Sequence, residues 1–266
     1  MSMTLEEKST KYIQKKIKEK PEFGIVLLGN QFNQLIHEIK NPICIPYEDI
    51  PNFTKVNGKF ISGDIEGKKV LFLIEPFSSY DEEEYTPFPL VMCKNMGIDK
   101  LILINISGGV NPNYKAGDVM LVKDHINLFP ESHNMKKFMN NNFLGITEPY
   151  DQKMLEMAEN IAMNHNIIIQ KGVYVAYPYP HYKTHAEYAM IRSMGGDSVG
   201  MSNIVSYVIT ARYMDLRVFA ISIIMGLSEH KGSYDSIHLM KSFFQETEKS
   251  IPLLILIVKE FIKLCF

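Results

Sequence analysis

Short, nearly continuous apolar runs recur along the chain, and stretches with helical periodicity separate them. Such runs indicate strands covered on both faces, because a strand with one face in water alternates apolar and polar residues. Strands that alternate with helices favour an α/β layer fold, in which helices flank a central mixed β-sheet. The runs that predict strands are residues 23–28, 69–74, 100–106, 119–122, 172–177 and 217–224.

Periodic apolar positions between these runs predict the helices. No repeat or composition break divides the 266 residues, a length that suits one domain with a sizeable core. We therefore expect a single domain over residues 1–266, with an amphipathic helix within 1–20 and a C-terminal helix over 236–264. The other predicted helices are residues 151–165, 184–194 and 202–212, and residues 134–145 are expected to form a mobile loop.

The composition argues against several classes of protein. A formal net charge of -2 gives no bulk attraction to nucleic acid. The apolar run 251–258 is far shorter than the ~20 residues that a membrane span needs, so no membrane association is expected. The 3 cysteines are too scattered for a disulfide framework or a zinc site. Free thiols and the lack of an apolar signal segment favour a cytoplasmic protein.

A Gly-Gly pair follows one of the buried runs. Leu101–Ile104 is apolar, and it leads through Asn105, Ile106 and Ser107 into Gly108-Gly109. Two glycines after a buried strand let the backbone turn sharply and approach a ligand closely. A second apolar run follows and ends in Asp-His-Ile-Asn, where His125 is expected to cap the strand end.

Four blocks, in this order and at this spacing, closely resemble the trimeric class of purine nucleoside phosphorylases. The resemblance covers residues 23–262, and it implies a nucleoside phosphorylase-like fold and a homotrimer. It also implies cleavage of purine nucleosides by inorganic phosphate to free base and ribose 1-phosphate, with no metal or organic cofactor. The blocks are residues 24–29 with 50–53, residues 105–127, residues 172–175 with 180–187, and residues 196–202 with 211–212 and 216–222.

The phosphate side of the resemblance carries several substitutions. Where the family has a Gly-Ser-Gly turn, this chain has Gly29-Asn30-Gln31. Where the family has Gly-Arg-Phe-His, it has Glu75-Pro76-Phe77-Ser78, and four carboxylates at 81–84 follow. Proline offers no donor in place of the arginine fork, and nearby carboxylates repel an anion. The resemblance leaves as phosphate-binding positions Asn30, Ser78, Ile106 and Ser107.

The base side is altered as well. Lys183 stands where the family places the carboxylate that accepts from purine N1–H, and an ammonium cannot accept a hydrogen bond. Gly226 stands where the family has an asparagine that binds the base. Lys183 and Gly226 are thus the substituted catalytic positions. The substrate-binding positions that the resemblance implies are Tyr80, Tyr174, Tyr182, Lys183, Met201, Ser202 and His238.

These substitutions leave three hypotheses open. The first is a glycosyltransferase of this family with weakened or lost phosphorolysis. The second is a catalytically silent homologue that binds a purine, a nucleoside or another flat ligand. The third is a phosphate-independent reaction in the old pocket, with Lys183 as a desolvated amine nucleophile rather than an exposed loop lysine. In the homotrimer, Phe138 or Phe143 is the candidate aromatic that closes the neighbour's ribose pocket.

Overall fold

One mixed sheet of 9 strands runs through the part of the protein that the structure describes. The structure is a computed structural model that describes residues 4–53, 58–75, 87–130, 138–139, 145–178, 183–227 and 236–265. Helices flank the sheet, so the predicted single α/β domain with a central mixed sheet is confirmed. The strands are β1 (Phe23–Leu28), β2 (Lys40–Pro46), β3 (Lys59–Ile65), β4 (Lys68–Glu75), β5 (Lys100–Gly109), β6 (Val119–Asn127), β7 (Gln170–Ala176), β8 (Ser198–Gly200) and β9 (Arg217–Leu227).

The helices that the structure describes cover both ends of the chain and the segments between strands. They are α1 (Leu5–Ile17), α2 (Asn33–His37), α3 (Phe88–Asn95), α4 (Gln152–Asn164), α5 (His185–Ser193), α6 (Ile204–Tyr213) and α7 (Ser236–Leu264). Single 3-10 turns occur at Asn30–Phe32 and Tyr47–Asp49. No helix of the described ranges has both the length and the apolarity that crossing a membrane requires.

The sheet closes partly on itself. Its strand order is β2-β3-β4-β1-β5-β8-β7-β6-β9, and an additional β5–β9 pairing joins five of the strands in a ring. β5 therefore pairs with β1, β8 and β9. Because β1, β4, β5 and β9 are mutually parallel, their carboxyl ends meet at one edge of the sheet. Ligands of open α/β sheets bind at such edges, so we expect the functional site at this edge.

Local signals explain where the helices start. Thr4 and Glu7 form a capping box at the start of α1, and Thr184 and Glu187 form another at α5. Each box satisfies two backbone amides that the first turn leaves without partners. The C-terminal helix α7 has the predicted bounds, and its fully buried residues lie at helical spacing. They are Ile251, Leu254, Ile257, Val258, Phe261 and Ile262.

The structure also contains elements that apolar runs did not predict. β2 is an edge strand with mostly exposed residues, β3 contains Gly63, and β8 has only three residues. The apolar helix α3 was missed because its first turn begins with Phe88-Pro89 and its apolar residues are nearly continuous. β6 extends to Asn127 rather than ending at Val122, because its polar half pairs with β7.

Candidate functional site

Two serines join β5 to β9 near the shared edge. Ser107 lies on β5 and Ser222 on β9, and their Oγ atoms are 2.7 Å apart in the buried interior. β5 then continues into Gly108 and Gly109, which pair with Val199 and Ser198 of β8. The Gly-Gly segment is thus held between two strands, with its backbone close to the start of the β8–α6 connection.

A second polar cluster lies next to these serines. Asn105 Nδ2 donates to Ser202 Oγ at 2.8 Å, and the Tyr174 hydroxyl lies 3.2 Å from the same oxygen. All three side chains are buried, and burial raises the pKa of Tyr174 to about 12. Asn105 Oδ1 has no hydrogen-bond partner among the described residues. A buried acceptor without a partner costs about 1–3 kcal/mol, which suits a site that receives a donor from a ligand or water.

Asp197 fixes the turn that follows β5. Its backbone carbonyl accepts from the amides of Val110 and Asn111, at 2.9 and 3.0 Å. Its carboxylate accepts from Asn111 Nδ2 at 2.7 Å and from the Val173 amide at 2.8 Å. One aspartate therefore ties the turn to β7, and this preorganises the Gly108–Gly109 backbone.

Lys183 lies against an aromatic ring at the end of β7. Its ammonium is 4.4 Å from the centroid of the Tyr177 ring, while the Tyr177 hydroxyl donates to Glu187 Oε1 at 2.9 Å. Partial burial lowers the pKa of Lys183, against the opposing attraction of Glu187. The Tyr177 amide also donates to the Gly200 carbonyl at 2.9 Å, which brings this group beside the segment that carries Ser202. The Tyr177 ring and the Glu187 carboxylate both attract the ammonium, and this attraction opposes the effect of desolvation.

Hydrogen-bond acceptors gather where β1 and β4 end. Gly29 has φ +127°, a value that favours glycine, and a Cβ added there would collide with Gln31 Oε1. This Gln31 oxygen is buried and has no hydrogen-bond partner in the described part of the chain. On the neighbouring strand Glu75 is 3% exposed, and it accepts a hydrogen bond from the Tyr47 hydroxyl at 2.9 Å. Burial and this carboxylate raise the pKa of Tyr47 well above its usual value.

Comparison with known proteins decides the family. The sequence model described as the phosphorylase superfamily matches residues 25–263. The chain belongs to the phosphorylase superfamily. Within it, the chain is 36% identical to purine nucleoside phosphorylase 1 of Bacillus subtilis (strain 168), over 87% of this chain and 90% of that protein. It is 30% identical to the Bos taurus purine nucleoside phosphorylase, over 81% of this chain and 79% of that protein.

Solved structures of phosphorylases share the fold. A Schistosoma purine nucleoside phosphorylase in complex with hypoxanthine has a TM-score of 0.84 and 27% identity, and the match covers 100% of both chains. The Schistosoma mansoni purine nucleoside phosphorylase in complex with inosine has a TM-score of 0.83 and 29% identity, covering 98% of this chain and 96% of that one. The expected nucleoside phosphorylase-like fold is therefore confirmed.

The structure brings several of the positions predicted from the phosphorylase resemblance together. Ile106 and Ser107 lie on β5, Tyr174 lies on β7, and Met201 and Ser202 follow β8. Gly226 lies near the end of β9, on the strand that carries Ser222, and has φ +63°. Their roles in binding and catalysis stay predictions. Ser78, Tyr80 and Tyr182 lie outside the described residues, as do the side chains of Asn30 and His238.

Several residues of the candidate site were not singled out by sequence. The missed residues are Asn105, Asp197 and Ser222. Their hydrogen bonds join residues 86 to 115 positions apart in the chain, so no local sequence pattern predicts them. In the sequence, Glu75 stood out only as part of a substituted block, and Gln31 only as the residue in place of a family glycine. His125 does not cap a strand end but lies within β6, where its Nδ1 is 3.1 Å from the Tyr150 hydroxyl.

Proposed function

We propose that the chain binds purine nucleosides at the buried polar cluster and cleaves their glycosidic bond, with phosphorolysis much slower than in its relatives. The observation that carries the proposal is the Asn105–Ser202–Tyr174 cluster, a buried and incompletely paired set of polar groups. Related phosphorylases were solved with hypoxanthine, adenosine, inosine and guanosine. The proposal therefore assigns this chain the same class of small-molecule ligand.

The base end of the site has a cation where the resemblance expects a carboxylate. An ammonium donates hydrogen bonds and accepts none, so Lys183 recognises a 6-oxo group and gains nothing from N1–H. Its positive charge also stabilises the negative charge that gathers on a departing purine. Gly226 contributes no side-chain donor to the base. Loss of one such positioned donor slows catalysis roughly 10²–10³-fold.

The phosphate end has lost side-chain donors in the same way. The backbone amides of Ile106 and Ser107 are present whatever side chains these positions carry. The arginine and histidine positions carry Pro76 and Ser78 instead. Because such groups act as a unit, their separate losses do not simply multiply. Slow phosphorolysis with retained nucleoside binding is the result that we expect.

Base release from inosine, guanosine and adenosine tests the proposal directly. The purified protein is assayed with and without millimolar phosphate, and a heat-inactivated sample sets the background. Saturable nucleoside binding with slow release of free base is expected. Absence of nucleoside binding by calorimetry at millimolar ligand would reject the proposal. Binding without any release favours the silent homologue, whereas release that needs Lys183 and ignores phosphate favours the third hypothesis.

Recognition by Lys183 has a sharper test in a methylated ligand. Because the lysine does not use N1–H, 1-methylinosine should bind within about threefold of inosine. The Lys183→Glu variant restores an N1–H acceptor, so it should prefer inosine over 1-methylinosine by about tenfold or more. The matched control is Lys153→Glu, which makes the same charge change at an exposed residue of α4. A strong wild-type preference for inosine would contradict the assigned role of Lys183.

Assembly and location extend the proposal. We propose a cytoplasmic homotrimer, in which an aromatic from one subunit closes the neighbour's pocket. Phe143 lies outside the described residues, and Phe138 packs edge-on against Tyr213 of its own chain at 5.3 Å. Sedimentation equilibrium measures the mass of the assembly, and a monomer at micromolar concentration would reject the trimer. Cell fractionation tests the location.

A further inference from the structure

Two buried side chains converge on the hydroxyl of Ser202. Asn105 Nδ2 donates to Ser202 Oγ at 2.8 Å, and the Tyr174 hydroxyl lies 3.2 Å from the same oxygen. Asn105 and Tyr174 are fully buried, whereas Ser202 is 8% exposed. Ser202 also lies in the connection between β8 and α6 rather than within a strand. Of the three side chains, Ser202 is therefore the one whose surface a ligand can reach.

The proton of the Ser202 hydroxyl is not used within this cluster. A serine hydroxyl carries one proton and two acceptor lone pairs. The Asn105 amide nitrogen can only donate, so it occupies one lone pair. The buried Tyr174 hydroxyl donates to the other, because leaving a buried donor unpaired is costly. Asn105 Oδ1 receives no hydrogen bond from the described residues. The Ser202 proton therefore points away from both neighbours.

Paired strands hold both of the supporting residues. Asn105 lies in β5, in register with β9, and Tyr174 lies in β7, in register with β8. A Cβ added at Gly200 would lie 2.5 Å from the Tyr174 hydroxyl oxygen, so glycine at this position lets the phenol reach Ser202. Groups supported by strands keep a more precise geometry than groups on loops. The sheet thus fixes a serine that itself lies in a connection.

We infer that Asn105 and Tyr174 are positioning residues, which orient the Ser202 hydroxyl so that it donates to an acceptor oxygen of the ligand. The inference rests on the proposed function, in which that oxygen belongs to the ribose or to inorganic phosphate. It gives Tyr174 a role that acts through Ser202, in place of the direct ligand contact that the resemblance implies. Ser202 makes the contact, and its two neighbours set the direction of its proton.

Removal of the Ser202 hydroxyl identifies the acceptor. Calorimetry measures the Kd of inosine without phosphate and the Kd of inorganic phosphate alone. Ser202→Ala should weaken one of the two about three- to tenfold, inosine if the acceptor is a ribose oxygen and phosphate if it is a phosphate oxygen. Ser193→Ala, which removes an exposed hydroxyl of α5, should change neither Kd.

Two results would go against the inference, and they differ in what they leave standing. Unchanged Kd values in Ser202→Ala would overturn the inference and leave nucleoside binding intact. A wild-type protein that binds neither inosine nor phosphate would reject the proposed function together with the inference.

Tyr174→Phe separates a positioning role from a direct ligand contact. The variant keeps the ring and loses the hydroxyl that contacts Ser202. It should weaken the same ligand about two- to fivefold when Ser202 is present, and by less than about 1.5-fold in the Ser202→Ala background. An equal loss in both backgrounds would mean that Tyr174 contacts the ligand itself, which would overturn its positioning role.

Asn105→Asp reverses the direction of the hydrogen bond to Ser202. A carboxylate only accepts, so it should take the Ser202 proton that the ligand otherwise receives. Binding should weaken as much as in Ser202→Ala, and no further in the double variant. Wild-type affinity in a folded Asn105→Asp protein would contradict the role of Asn105. Urea melts establish that each variant is folded, and if Asn105→Asp unfolds, the Tyr174→Phe comparison decides.

Discussion

The ammonium of Lys183 lies 4.4 Å from the centre of the Tyr177 ring. A cation over an aromatic face keeps its charge while losing part of its water, at a gain of about 0.5–2 kcal/mol. The same ring is fixed through its hydroxyl, so the cation has a defined position rather than the freedom of an exposed loop lysine. Under the proposed function, the ring therefore positions the lysine that recognises the base.

Removal of the ring should therefore weaken nucleoside binding. In Tyr177→Leu the ammonium loses its aromatic face, and we expect the Kd for inosine to rise about fivefold, which corresponds to ~1 kcal/mol. Tyr177→Phe keeps the aromatic face and loses the bond to Glu187, so its Kd should stay within about twofold. Calorimetric titration measures both variants. Equal Kd values for the Leu and Phe variants would show that the ring does not position Lys183.

Gly226 is a site where the side chain expected from the family can be restored. Its φ of +63° lies in the left-handed region, which asparagine tolerates better than other side chains. Gly226→Asn should lower the free energy of unfolding by less than about 1 kcal/mol, while Gly226→Val should cost about 2 kcal/mol. If the restored amide reaches the base, purine release should accelerate about tenfold or more. Urea melts and release rates check both expectations, and an Asn variant as unstable as Val would contradict the first.

The Asn105 cluster should contribute to stability as well as to binding. Asn105→Ala removes the donor to buried Ser202, and we expect a loss of about 1–3 kcal/mol in the free energy of unfolding. A double-mutant cycle with Ser202→Ala should give a coupling energy of about 0.5–1.5 kcal/mol. Asn164→Ala, at an exposed position of α4, should change stability by less than about 0.5 kcal/mol. Additive effects in the cycle would mean that the two side chains do not stabilise each other.

His125 makes stability depend on pH. Burial lowers its pKa in the folded state below 6.5, and the opposing effect of Asp124 is smaller. The unfolded chain then binds more protons than the folded one between the two pKa values. The free energy of unfolding should therefore fall as the pH drops through about 6.5, and this loss should be complete below the folded pKa.

Urea melts at pH 7.5 and 5.5 measure this dependence. His125→Asn cannot titrate in this range, so its stability should fall less between the two pH values than that of the wild type. His165→Asn alters an exposed histidine and should keep the wild-type difference. An unchanged difference in the His125 variant would assign the acid sensitivity to other groups.

Buried apolar runs were sufficient to predict the central strands. β1, β4, β5 and β9 are covered on both faces, and their sequences are nearly continuous in apolar residues. The same rule missed β2, because an edge strand is mostly exposed and this one contains Pro42 and Pro46. It also missed β8, whose three residues are too few for any periodicity. The buried central strands could be predicted from the sequence. The missed strands β2 and β8 could not, because their pairing depends on neighbours distant in the chain.

The site was predictable only where the resemblance supplied positions. Ser107, Tyr174 and Ser202 were named in this way, and the structure places Tyr174 against Ser202. The partners Asn105 and Ser222 have no local signal, because each acts across about a hundred residues. The acceptor character of the turn after β1 depends on which way the Gln31 amide points. That orientation is a property of the folded chain.

The pairing of β5 with β9 has a consequence for synthesis on the ribosome. Ser107 and Ser222, which meet in the site, are 115 residues apart in the chain. At ~5–20 residues per second, β5 waits roughly 6–23 s for its partner to be made. During this interval the backbone of β5 is unpaired on the side that β9 will cover. Unpaired strand edges promote aggregation. A chaperone that shields a nascent strand would therefore have its greatest effect while residues between β5 and β9 are being translated.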